Sequence, residues 1–208
     1  MADNAPEGRV AADPARRPLN PVGRALAAVR RETGSSGPAL AVYAAVVSAV
    51  ALALAGLVGV LLRQPWLFPS LGPTIMVITE TPATPAAHPR NVFVGHVVGV
   101  AGGYTALLVT GLRTGPSTIE TGLNARRVAA AVIALVVTVL ALQLLQMPHA
   151  PAGATTLIVG LGILKTPGDL LVIVLSVLLV TVLASGANIL VAVRQRGVTD
   201  GPRVRRRP

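Results

Sequence analysis

Four stretches of this chain, residues 39–62, 91–112, 128–146 and 170–193, contain no Asp, Glu, Lys or Arg and are dominated by apolar side chains. Each is close to the roughly 20 residues that a helix needs to cross the hydrocarbon of a bilayer. The chain is 52% hydrophobic and only 12% charged, where a soluble domain carries about a quarter charged residues. An all-α integral membrane protein with four transmembrane helices follows, and its first partner is the lipid bilayer. The absence of cysteine excludes disulfides and thiol chemistry and leaves the redox compartment open. A formal charge of +10 suits nucleic acid, but the arginines lie where membrane topology places them, so no nucleic-acid partner is expected.

Two short polar segments interrupt this pattern. Residues Pro148 to Thr156 read PHAPAGATT, and Pro69 to Thr74 read PSLGPT. Aligning Gly72 with Gly153 sets GPTIMVI over GATTLIV, matching the glycine, the threonine two places on and an apolar tail. The chain therefore reads as two tandem repeats of helix/half-helix/helix, at 38–113 and 124–193. Gly72 to Glu80 is nine residues, which at about 1.5 Å each reach half of a 30 Å core. Two re-entrant half-helices fit that length.

Charge gives the same answer. Six arginines precede the first span, three lie between the second and third, and six follow the fourth, whereas only Arg63, Arg90 and Lys165 fall on the other side if the short segments re-enter. Fifteen against three places both termini in the cytoplasm and the protein in the plasma (inner) membrane. The Arg-, Pro- and Gly-rich arm 1–37 and the tail 194–208 are expected to be disordered, with a short amphipathic helix at 21–31. In the second span Gly95, Gly99 and Gly103 recur every fourth residue and form a flat packing ridge. Asn91 and Asp169 are placed to cap the second and fourth spans.

In this arrangement each half-helix has its N-terminus deep in the protein. Irregular backbone at that depth must be shielded by protein or line a cavity, and two positive helix ends with free N–H groups make an anion site. The expected binding residues are Gly72 and Gly153 at the turns, Ser70, Thr74, Thr155 and Thr156 as hydroxyl donors, and His96 and His149 tuning charge and access. The same hydroxyls also suit backbone capping, and His149 suits a structural turn. No carboxylate or thiol stands at ligand spacing from the three histidines, so no metal or cofactor is expected. With no nucleophile and base, carboxylate pair or phosphate-cradling loop, the chain does not read as an enzyme.

At PHAPAGATT, FPSLGPT and HPRNVFVGHVVG the chain resembles the HPP family of four-span integral membrane proteins. Family members carry His-Pro-Pro followed by Ala-Gly-Ala-Thr; here the matching positions are His149, Ala150 and Pro151, then Ala152 to Thr155, with alanine in place of the middle proline. The resemblance covers about residues 40–193 and implies a membrane protein whose relatives with an assigned role move nitrite. The sequence thus points to a homo-oligomeric channel or transporter for a small inorganic anion. The alternative is a non-transporting scaffold or sensor with basic cytoplasmic tails.

Overall fold

The computed structural model describes residues 36–199, and side chains over 40–192. The arm 1–35, including the expected helix at 21–31, and the tail 200–208 lie outside the described residues. Within the described residues the fold is all-helical. The helices are α1 (Ser36–Leu62), α2 (Leu71–Glu80), α3 (Pro89–Val109), α4 (Thr118–Thr121), α5 (Ala125–Leu144), α6 (Ala152–Gly160) and α7 (Pro167–Thr199), with a 3-10 turn at Pro85–Ala87. Four of them, α1, α3, α5 and α7, are long and apolar enough to cross a membrane. The last helix continues past 193, where the tail was expected to begin, because no proline stands between Pro167 and Pro202.

The breaks that create α2 and α6 have the same local cause. Arg63 and Gln146 both take positive φ, 51° and 54°. At each, the following amide reaches back past the turn: Gln64 N–H donates to Gly59 O at 3.0 Å and Met147 N–H to Leu142 O at 3.0 Å. This left-handed closure satisfies the last carbonyls of α1 and α5 and turns the chain back on itself. Prolines then forbid an immediate restart: Pro65 and Pro69 in the first case, Pro148 and Pro151 in the second. Pro73 is tolerated inside the first turn of α2, where an amide has no intrahelical partner.

Neither short helix turns back to the end of the bundle from which its leader came. After Arg63 the chain runs back along α1, so that a Cβ on Gly56 would lie 3.2 Å from Leu67 Cδ1. α2 continues in that direction until Asn188 Nδ2 donates to Ile78 O at 2.8 Å, while Tyr43 Oη donates to Asn188 Oδ1 at 2.5 Å. The end of α2 therefore lies beside the beginning of α1, at the opposite end of the bundle from Arg63. In the second half, α6 runs antiparallel to α5: Thr156 meets Thr138, and Gly160 packs on Ala134. It finishes where Thr118 N–H donates to Leu161 O at 3.1 Å, next to the connector between α3 and α5.

The expectation of re-entry counted only the helical residues. The irregular segments 63–70 and 145–151 supply the other half of each passage, and extended chain covers more than 3 Å per residue. Each short helix and its leader thus join opposite ends of the bundle. The arginine and lysine count stays asymmetric in this arrangement. It becomes thirteen (six, Arg90, six) against five (Arg63, Arg113, Arg126, Arg127, Lys165).

The core gathers Ala51, Ala55, Phe68, Leu71, Ile75 and Ile78 with Val92, Leu107, Ile158, Ile173 and Val177. α3 is its axis. A Cβ on Gly99 would sit 2.8 Å from Ala152 O, and one on Gly103 would sit 2.7 Å from Thr156 O; the glycine ridge brings the α6 backbone into contact with α3. Two capping expectations are corrected. His88 caps α3, its Nδ1 accepting from Arg90 N–H at 3.3 Å, while Asn91 donates to Pro85 O. Thr166 caps α7, and Asp169 is the returning carboxylate, accepting from Thr166 N–H at 3.0 Å while Thr166 Oγ1 accepts from Asp169 N–H. At the other end of the bundle Arg127 donates to Pro116 O and Lys165 to Gly115 O, fastening the connector.

Candidate functional site

The starts of α2 and α6 meet inside the protein. Ser70, just before α2, and Thr155, in the first turn of α6, are 2.7 Å apart through their hydroxyl oxygens. Both sit on the buried side of their segments because Pro69 and Pro151 fix the approach of the chain and the helical repeat then turns Leu71, Thr74, Thr155 and Thr156 inward. α3 places His96 between the two helices. Its Nε2 is 2.9 Å from Thr74 Oγ1 and its Nδ1 is 2.7 Å from Thr155 Oγ1. His149, at the end of the irregular leader to α6, brings its Nε2 to 3.2 Å from His96 Nε2, while its Nδ1 is 2.8 Å from Ala86 O. His96 and His149 are 1% and 2% exposed, so these bonds take the place of water.

The hydrogens follow from the groups that can only accept. Ala86 O is a carbonyl, so His149 Nδ1 carries the hydrogen and its Nε2 presents a lone pair. Thr74 Oγ1 donates to Ser70 O at 2.7 Å, so it accepts from His96 Nε2–H. His96 Nε2–H thus faces two acceptors, Thr74 Oγ1 and His149 Nε2, and its Nδ1 accepts from Thr155 O–H. Ser70 O–H then donates to Thr155 Oγ1. Both rings are neutral in this arrangement, and every polar atom in the chain from Ser70 to Ala86 has a partner.

Five of the eight predicted site residues, Ser70, Thr74, His96, His149 and Thr155, form this single network. Thr156 faces away from it, its hydroxyl donating to Ala152 O and pairing with the Thr138 hydroxyl, both at 3.0 Å. Gly72 and Gly153 lie at the helix starts but bring no side chain; a Cβ at Gly72 would meet nothing within 4 Å. The expectation of free amides at α6 is corrected, because the N–H groups of Ala152, Gly153 and Ala154 donate to His149, Ala150 and Pro151 carbonyls at 3.0–3.1 Å. At α2, Leu71 N–H and Thr74 N–H are bonded to Phe68 O and Ser70 O. What converges at the site is the positive field of two helix ends together with hydroxyls, not a cradle of bare amides.

Sequence reasoning missed Thr138, Ala86 and the Tyr43–Asn188 pair. Thr138 is the only hydroxyl residue in 128–146, a signal that was readable. Ala86 acts through its carbonyl and left no mark in the sequence. Among the described residues no group of three or more His, Asp or Glu stands close enough to hold a metal ion.

The family model for the HPP transmembrane region matches residues 34–197. No curated protein and no solved structure matches the chain.

Proposed function

The chain belongs to the HPP transmembrane family, and from that premise we propose that it carries a small inorganic anion across a membrane, with nitrite the first candidate by the family resemblance. The observation that supports this most is the meeting of Ser70 and Thr155 at 2.7 Å, which points two helix N-termini at one buried place. Each helix end carries the equivalent of about half a positive charge, and no carboxylate hydrogen-bonds to either among the described residues. A monovalent anion there is complementary to the field. Paired broken helices that meet in the interior are also the recurring construction of transporter binding sites.

The order long, short, long occurs twice with directions reversed, so we read the two halves as inverted copies of one unit, not as the tandem pair of re-entrant hairpins that length suggested. Hydroxyls of Ser70, Thr74 and Thr155 bind the anion by turning their hydrogens toward it, His96 and His149 compensate the change, and Gly72 leaves room at its start of α2. Thr156 and Gly153 hold α6 in place. Thirteen of the eighteen basic residues precede α1, follow residue 193 or are Arg90, and from this bias we assign the end of the bundle where α1 begins to the cytoplasmic side of a plasma membrane. The exposed apolar face of α5, including Val128, Val132, Val136 and Val139, suits lipid or a second copy of the chain.

The test is uptake of nitrite, nitrate, formate and chloride into liposomes containing the purified protein, beside His149→Ala and empty vesicles. Flux of one anion above empty vesicles that falls in the variant supports the reading. A folded protein that moves none of the four removes it and leaves the scaffold with basic tails as the function to pursue.

A further inference from the structure

The network between the two short helices has a direction. Ser70 donates to Thr155, Thr155 to His96 Nδ1, His96 Nε2–H to His149 Nε2, and His149 Nδ1–H to Ala86 O, with distances of 2.7, 2.7, 3.2 and 2.8 Å. It starts at the meeting of the helix N-termini and ends at the turn before α3, the end of the bundle shared by Ile78, Asn188 and Tyr43. A line of hydroxyls and imidazoles with every hydrogen pointing one way is what a proton needs to pass by bond exchange.

We propose that this line is a proton relay that couples one proton to each anion moved, so that the protein is a proton-coupled carrier; the inference rests on the anion-transport reading above. A proton given up by the conjugate acid of the anion, or by hydronium, binds Ser70 Oγ. The original Ser70 hydrogen passes to Thr155, that of Thr155 to His96 Nδ1, and the Nε2 hydrogen of His96 to His149 Nε2. Four O–H or N–H bonds form and four break, the donor's own O–H among them. The net result is one proton more, held as an imidazolium on His149 with its Nδ1–H still on Ala86 O, and His96 neutral as the other tautomer. His149 then gives its Nδ1 proton to water admitted at the Ala86 end, the N–H bond breaking as hydronium forms, and turning of the rings and hydroxyls restores the starting direction of the hydrogens.

The capacity is one because of the 3.2 Å contact. A single hydrogen fits between the two Nε2 atoms; two protonated rings would press two N–H groups and two like charges together. The surroundings add no competing site. α2 brings Ser70 and Thr74, α6 brings Thr155, and the turn before α3 brings the Ala86 carbonyl. His88 and Arg90, at the start of α3, are exposed, and no Asp, Glu, Lys or Arg among the described residues hydrogen-bonds to either ring. The spans lack the buried carboxylate that many proton-coupled carriers use, and the histidine pair takes that place.

The test uses the full chain in liposomes loaded with a pH-sensitive dye, the membrane potential clamped with potassium and valinomycin, and a pH gradient imposed without a nitrite gradient. The expected result is nitrite accumulation driven by the pH gradient, above empty vesicles, with one proton per nitrite. Thr155→Val, which removes the hydroxyl between Ser70 and His96, lowers the number of protons carried per nitrite whatever it does to the nitrite flux itself, and Thr155→Ser retains the ratio. Nitrite flux that ignores the pH gradient and carries no proton overturns the relay while leaving anion transport standing. No flux of any of the four anions overturns both. Should Thr155→Val fail to fold, nitrogen-15 resonances of the histidines in wild-type protein in bilayers decide: Nδ1–H on His149 and Nε2–H on His96 at neutral pH support the relay, and any other pair of tautomers overturns it.

Discussion

His96 and His149 meet through their Nε2 atoms at 3.2 Å with the rings tilted by 60°, yet they are not equal partners. His149 serves one further acceptor, Ala86 O, whereas His96 also serves Thr74 and Thr155. Replacing His96 by leucine therefore strands more buried groups than replacing His149. Each unsatisfied buried polar group costs about 1–3 kcal/mol, so His96→Leu is expected to lose about 2–4 kcal/mol and His149→Leu about 1–2 kcal/mol. Unfolding in mixed micelles with increasing denaturing detergent measures both. Equal losses, or a larger loss for His149→Leu, contradict this account of the network.

Glycine 103 and glycine 186 are both helical, and a methyl group has opposite consequences at the two. At Gly103 a Cβ would lie 2.7 Å from Thr156 O, 2.7 Å from Val159 Cβ and 3.0 Å from Gly160 N, so the α6 backbone itself must move. At Gly186 nothing lies within 4 Å. Gly103→Ala is expected to cost about 1–3 kcal/mol by overpacking and to disturb the site, since α6 carries Thr155. Gly186→Ala is expected to gain about 0.5–1 kcal/mol from backbone entropy. The same detergent titration gives both signs.

Glu120 closes the connector helix α4: its carboxylate accepts from Ser117 Oγ at 2.7 Å and from Ser117 N–H at 3.0 Å. These two bonds, side-chain first, hold its carboxyl below the usual glutamate range, with Lys165 and Arg127 adding to the effect. The folded value lies under the unfolded one, so the stabilisation is present above the unfolded value of about 4.3 and is lost as pH falls through the folded value. The thermal midpoint of Glu120→Gln is expected to fall below that of wild type at pH 7, and the difference is expected to shrink as pH falls below about 4. A gap that stays constant down to pH 3 would mean that the carboxylate does not carry the effect.

The sequence made the four long helices legible because a charge-free run of bilayer length admits few other structures. It also made legible which residues gather at the site: Ser70, Thr74, His96, His149 and Thr155 are the polar exceptions beside prolines and glycines, and burial in an apolar bundle obliges them to find one another. It did not reveal where each short helix ends up. That is decided by Asn188, which binds Ile78 and Tyr43 across 110 and 145 residues of sequence, and by carbonyls such as Ala86 O, which any residue supplies. Nor did it show that the amides of α6 are already bonded. That depends on the backbone turn of His149 to Pro151, which composition does not encode.

Direction of the short segments is the difference with the largest consequence, and the absence of native cysteine makes it measurable. Single cysteines at the exposed positions Gln64, Thr84 and Thr114, and at Thr199 near the end of α7, are labelled from one side with a membrane-impermeant maleimide. Re-entry at both breaks puts Gln64 and Thr84 on one side, and Thr114 with Thr199 on the other. The contacts of Ile78 with Asn188 and of Leu161 with Thr118 require the other grouping: Thr84 with Thr199, and Gln64 with Thr114. With thirteen basic residues at the first of these ends, Gln64 and Thr114 are expected to react from outside the cell and Thr84 and Thr199 only after the membrane is opened. Labelling of Gln64→Cys and Thr84→Cys from the same side would return the chain to four crossings. It would also put Ala86, where the proton line ends, on the same side of the membrane as Gln64, so that the line would no longer lead from the buried site toward the side of Thr199.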